Sequence, residues 1–177
     1  MDASSDTTMF PDAPAETDPA PSGAGAAPSG EFTEHIERLR AHRAELRDAV
    51  RGVVRALEAP IAQASTWRDR VRAALTVLAQ DFDEHIAITE SQGGIYDRAQ
   101  QSAPRLGGAV TRLLAEHVAF REQIHNHLAS LEHDGAGSDL FALREELTIL
   151  VGRLIRHRQA GGDLVYEAYS VDLGGMG

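Results

Sequence analysis

From Glu31 onward the apolar positions step by three and four, which is the signature of amphipathic helices packed on one face. Leu39, His42, Leu46, Ala49, Val53 and Leu57 form a first stripe, which ends at Ala59-Pro60. Thr33 or Ser29-Gly30 can start it. A second stripe runs through Trp67, Val71, Leu75 (with Ala74), Leu78, Phe82, His85 and Thr89. It predicts a helix from Ile61 or Thr66 to Gln92, ended by Gly93-Gly94, with a loop leading to Pro104. The third stripe is Leu106, Val110, Leu113, His117, Phe120, Ile124, Leu128 or His127, and Leu131, on a helix from Pro104 to Glu132. Asp134-Gly135-Ala136-Gly137 reads as a turn, and Ser138 as the N-cap of a fourth helix from Asp139. There Leu140, Leu143, Leu147, Leu150, Leu154, His157, Gly161 and Leu164 share a face. Gly161-Gly162 is expected to loosen this helix, and Tyr166 to Tyr169 to continue it before Asp172-Leu173-Gly174-Gly175.

No segment alternates as a strand does, and no solenoid repeat is present. Four long amphipathic helices with short connections predict an all-α, up-down-up-down antiparallel four-helix bundle over residues 31–177. Residues 1–30 differ in kind. They are rich in Ala, Pro, Ser, Gly, Thr and Asp, carry Asp2, Asp6, Asp12, Glu16 and Asp18, and have few bulky apolar groups. Such a segment cannot offset its chain entropy by burial, so a disordered acidic tail is expected.

Each predicted helix places one histidine on its apolar stripe: His42, His85, His117 and His157. An imidazole facing a helical core is costly unless its ring nitrogens are bonded. At about 1.5 Å rise per residue, the four heights in an up-down bundle fall between about 10 and 20 Å, so they can share one layer near its middle. A shared polar or metal-binding layer is therefore weighed against four unrelated buried histidines. His35, His125, His127 and His133 read as surface or bundle-end residues.

Carboxylates decide how far this layer resembles a metal centre. His85 is followed by Thr89 at i+4 and Glu90 at i+5. The i+5 spacing turns the acid well off the histidine's face, a turn that Gly93-Gly94 helps to absorb. His117 has Arg121 and Glu122 at i+4 and i+5; His157 has Gly161, Gly162 and then Asp163. Glu84 and Glu116 directly precede their histidines and read as solvated flanks or as outer partners of a ligand. The chain has no cysteine, so any metal must be held by nitrogen and oxygen.

Composition trims the alternatives. The formal net charge is -10, and all 17 basic residues are arginine, interleaved with acids. General nucleic-acid binding and attachment to anionic membranes are disfavoured. No apolar run has membrane-spanning length, and the first thirty residues lack the pattern of a signal peptide, so a cytoplasmic location is the expectation.

Across residues 35–175 the chain resembles the hemerythrin-like, or HHE cation-binding, domains. The resemblance rests on Leu39-Arg40-Ala41-His42-Arg43, on His85 and Glu90 followed by Gly93-Gly94, and on Pro104-Arg105-Leu106 with Leu114-Ala115-Glu116-His117. It continues through His157, Asp163 to Tyr169, and Asp172-Leu173-Gly174-Gly175. It implies a four-helix bundle holding non-heme iron, mono- or dinuclear, with His42, His85, Glu90, His117 and His157 as ligands and Asp163 as a weaker candidate. It further implies a small diatomic ligand such as dioxygen or nitric oxide, or the sensing of redox state. Tyr166 and Tyr169 are candidate donors around the site, weighed against the commoner case of tyrosines that pack with the hydroxyl at the surface. Two positions depart from the pattern: Gly161 stands where the family usually has a carboxylate, and Arg121 where fuller members have a second histidine. An arginine facing the layer would repel a cation and pair with Glu90. The alternative is therefore a metal-free interaction module with a buried His/Glu/Arg network. A di-iron enzyme acting on peroxide or dioxygen ranks last. No protein partner or oligomeric state is implied.

Overall fold

The computed structural model describes residues 30–133 and 139–170, with side-chain surroundings for 41–132 and 139–168. The regular elements of the described residues are all helices: α1 (Gly30–Glu58), α2 (Ala64–Glu90), α3 (Ile95–Ser102), a 3-10 turn (Pro104–Leu106), α4 (Gly107–His133) and α5 (Leu140–Ser170). The expected tail up to residue 29, the turn at 134–137, Ser138 and the end beyond Ser170 lie outside the described residues, as do the side chains of His35, His133 and Tyr169. No helix among the described residues is long and apolar enough to cross a membrane.

The four long helices pack in a ring of neighbours, α1 on α2 and α5, and α4 on α2 and α5. The stripes read from the sequence are the buried faces. His42, Leu46, Ala49, Val53 and Leu57 are buried on α1; Trp67, Val71, Leu75, Leu78, Phe82, His85 and Thr89 on α2. Val110, Leu113, His117, Phe120, Ile124 and Leu131 are buried on α4; Leu147, Leu150, Leu154, His157 and Leu164 on α5.

The buried apolar side chains form two clusters, and the histidines fall between them. The larger contains Leu46 to Leu57, Trp67 to Phe82, Phe120 to Leu131 and Leu147 to Leu154. The smaller contains Ile95, Tyr96, Ala99, Leu106, Val110, Leu113, Leu164 and Ala168. Along α4 the order is Leu113, His117, Phe120; along α5 it is Leu154, His157, Leu164. The imidazoles interrupt an otherwise continuous apolar core.

Two sequence expectations are corrected. The segment between Gly94 and Pro104 is not a loop but contains α3. Ile95, Tyr96 and Ala99 bury one face of it, a spacing of i, i+1 and i+4 too short to stand out as a periodic stripe. Gly93 adopts φ +68°, a backbone conformation that suits glycine, and a Cβ on Gly94 would meet the Ser91 carbonyl oxygen at 2.6 Å. Asp97 then accepts the Gly93 N–H at 3.0 Å and ties the turn to the new helix. The second correction concerns the start of α5: Asp139 Oδ1 accepts the N–H groups of Phe141 and Ala142 at 2.9 and 3.1 Å, so Asp139 does the capping expected of Ser138. Gly161 and Gly162 lie within α5, which continues through Tyr166 to Ser170 as expected.

Candidate metal centre

All four core histidines are buried, between 1% and 6% exposed. They do not form one equivalent set. One ring nitrogen each of His85, His117 and His157 lies within 4.8 Å of the others, from α2, α4 and α5. Their ring centroids stand 5.1 Å (His85–His117), 4.8 Å (His117–His157) and 5.9 Å (His85–His157) apart, with the planes steeply inclined. Phe82 closes the side toward the larger cluster. It stacks on His85 and meets His117 and His157 edge-on. Tyr96, from α3, stacks on His117 at 5.7 Å from the opposite side. The sequence reading passed over Tyr96 because its helix was not recognised. The available signal was an aromatic two residues after Gly94, within a buried i, i+1, i+4 spacing.

Two of the three rings are held by carboxylates. Nδ1 of His117 lies 2.7 Å from Glu90 Oε1, and Nδ1 of His157 lies 2.8 Å from Glu116 Oε2. A carboxylate oxygen accepts, so each Nδ1 carries the proton and donates, and each Nε2 keeps its lone pair. Nε2 of both rings is buried without a hydrogen-bond partner, as are both nitrogens of His85. Thr89, one turn beyond His85, gives its hydroxyl to the His85 carbonyl oxygen at 2.7 Å and offers no second group to the centre.

Electrostatics favour neutral imidazoles here. Burial, reinforced by His117 and His157, pushes the pKa of His85 down to about 2. Burial also holds His117 below its usual range, partly offset by the Glu90 hydrogen bond, and holds His157 low, partly offset by Glu116. Neutral imidazoles with free lone pairs are the form that binds a metal. Burial also raises the Tyr96 phenol, so it remains a neutral donor.

His85, His117 and His157 form a group that could hold one metal ion. Both nitrogens of His85 and Nε2 of His117 and of His157 lack partners, which leaves polar atoms unsatisfied in an apolar core, and one nitrogen of each ring lies within 4.8 Å of the others. No carboxylate belongs to the group of three, so a carboxylate-bridged pair of ions is not supported. Beside the group is a cavity of about 20 Å³ lined by His85, His157, Thr89, Tyr96, Arg43 and Gly161. It is the size of a single water or diatomic molecule. Gly161 leaves this space open: a Cβ there would reach only the Tyr96 hydroxyl, at 3.7 Å.

The remaining sequence candidates fall elsewhere. Glu90 holds His117 rather than joining the group of three. Asp163 is exposed on α5 and belongs to neither cluster of potential ligands. His42 stacks on His85 at 6.0 Å, but its Nδ1 faces Glu45 and Glu84. Arg121 does not face the layer or pair with Glu90. It is exposed and its Nε lies 2.9 Å from Asp83, because position 121 is one turn from His117 on the flank of α4 that faces solvent. His125 is exposed beside the same Asp83, His127 is half-buried, and Tyr166 is exposed.

Comparison of the chain with protein-family models, with curated proteins and with solved structures finds no match.

Proposed function

We propose that this chain is an up-down-up-down antiparallel bundle of the hemerythrin-like kind, with a disordered acidic tail before it, that holds iron at His85, His117 and His157. The alternating order of the two apolar clusters and the histidines along α4 and α5 supports the antiparallel reading. The observation that carries the metal reading is the convergence of three buried imidazoles whose facing nitrogens have no partner. A set of three such groups suits a single ion with open coordination positions. When bound, iron would supply reversible oxidation and a place for dioxygen or nitric oxide.

The chain's own residues then have separable tasks. Glu90 and Glu116 fix the tautomer and orientation of His117 and His157. Phe82 and Tyr96 wall the rings off from water. The cavity beside His85 and His157 gives a small molecule room next to the centre, under the Tyr96 hydroxyl. Wider surface pockets adjoin His117, beside Glu90 and Arg121, and His157, beside Glu116 and Arg153. The metal-free alternative loses Arg121, which pairs with Asp83.

The test is metal analysis of protein produced with iron. At least one iron ion per chain is expected, with one iron lost in His117→Ala and a lower melting temperature after chelation. Absence of stoichiometric metal, with a melting temperature unmoved by chelator, overturns the proposal.

A further inference from the structure

His42 is 2% exposed, yet neither of its ring nitrogens has a hydrogen-bond partner. Its Nδ1 is directed at two carboxylates on the outer side of the α1–α2 pair. Glu45 Oε2 lies 3.4 Å away, and Glu84 Oε2 3.9 Å away. The first contact is too long and poorly aligned to count as a hydrogen bond, so the buried nitrogen remains unsatisfied. His42 and Glu45 are spaced i, i+3 on α1, which sets them on one face, and Glu84 approaches from α2. The three ligand atoms lie within 4.8 Å of one another. Nitrogen and oxygen ligands bonded at about 2.0–2.2 Å to a tetrahedral ion stand about 3.4 Å apart, so only the Glu84 carboxylate needs to close in. Asp81, one turn before Glu84, adds a further negative charge to the field of His42, Glu45 and Glu84.

We propose that His42, Glu45 and Glu84 form a second, surface-accessible site for a divalent transition-metal ion, separate from the three-imidazole centre, which clamps α1 to α2. One imidazole and two carboxylates suit ions of borderline hardness, such as zinc or cobalt, better than calcium or magnesium, which favour oxygen ligands. The two carboxylates are more than half exposed, with side-chain exposures of 63% and 62%, so an ion reaches the site without opening the core. A bound cation would satisfy Nδ1 and relieve the repulsion among the acids, and both effects hold the helix pair together.

The experiment is titration of the metal-free, full-length chain with Co2+, with bound metal measured after dialysis. Wild type is expected to bind about two ions, and the double variant Glu45→Gln/Glu84→Gln to keep one, with affinity at the lost site reduced about tenfold or more. His117→Ala is expected to lose the other ion while keeping this one. Gln in place of two exposed acids leaves the packing intact, so loss of the ion with an unchanged circular dichroism spectrum reads on the site. Co2+ should also raise the melting temperature of His117→Ala, and not that of a chain also carrying Glu45→Gln/Glu84→Gln. Metal binding that is the same in wild type and the double variant overturns the second site. A single ion in wild type that vanishes in the double variant supports it and overturns the three-imidazole reading. No binding at all overturns both.

Discussion

Nδ1 of His117 sits 2.7 Å from Glu90 Oε1, a hydrogen bond that joins the last residue of α2 to the middle of α4. Donation from Nδ1 leaves Nε2 with its lone pair and, in the metal-free chain, without a partner. Because Glu90 is about one-third exposed, the pair also links a fully buried ring to solvent. Glu90→Ala frees the ring to rotate and to change tautomer. Metal affinity at the three-imidazole group is expected to fall about 10–100-fold, the usual effect of removing an outer partner of a ligating histidine. Competition with a chromophoric chelator measures this, and an unchanged affinity would show that the carboxylate plays no part in aiming the ring.

His85 has both ring nitrogens buried without partners, which makes it expensive in the metal-free chain. Replacing an unsatisfied polar group with an apolar one of similar size is neutral or stabilising. His85→Leu is therefore expected to raise the stability of the metal-free protein by about 1 kcal/mol, while abolishing metal binding at the group of three. Urea denaturation of metal-free wild type and variant provides the comparison. Destabilisation by more than about 1 kcal/mol would point to a bonding role for the imidazole.

Acid should unfold the metal-free chain early. The folded state holds His85 near a pKa of about 2, and holds His117 and His157 below 6.5, while the unfolded chain protonates all three near 6.5. Below that pH the unfolded state binds more protons, so stability is lost as pH falls, by up to about 1.4 kcal/mol per pH unit for each such group. Asp81, whose carboxyl is raised, works in the opposite direction near its own range. Melting temperatures of metal-free protein should drop steadily from pH 7 to pH 4, less steeply in His85→Leu. A flat profile would mean that the rings are not held neutral.

Gly161 and Gly162 are adjacent in α5 but predict opposite responses to alanine. A Cβ at Gly161 meets the Tyr96 hydroxyl at an ordinary 3.7 Å, so Gly161→Ala should gain about 0.5–1 kcal/mol from helix propensity. A Cβ at Gly162 would stand 2.5 Å from Arg43 Nη2, which donates to the Arg158 carbonyl oxygen at 3.3 Å. Gly162→Ala must displace that guanidinium and should gain less or lose stability. Thermal melts of the two single variants rank them; equal gains would show that the Arg43 contact gives way freely.

The sequence by itself determined the four long helices, their buried faces and the four core histidines, because helical periodicity is a local property written in each stripe. Trp67 through Thr89 all lie inside, as their spacing demands. It did not reveal α3, whose short buried face is set by packing onto α4 and α5 rather than by a repeat of its own. Nor did it sort the histidines into two groups. Spacing fixes which face of a helix a ring occupies, but not the rotation of that ring or the neighbour its nitrogens meet. Only the tertiary arrangement turned His42 toward Glu45 and Glu84, brought Glu90 and Glu116 onto Nδ1 of rings from other helices, and sent Arg121 outward to Asp83. Those outcomes depend on contacts between helices far apart in the chain, and distances of 3–4 Å between such groups are not encoded in any single stretch.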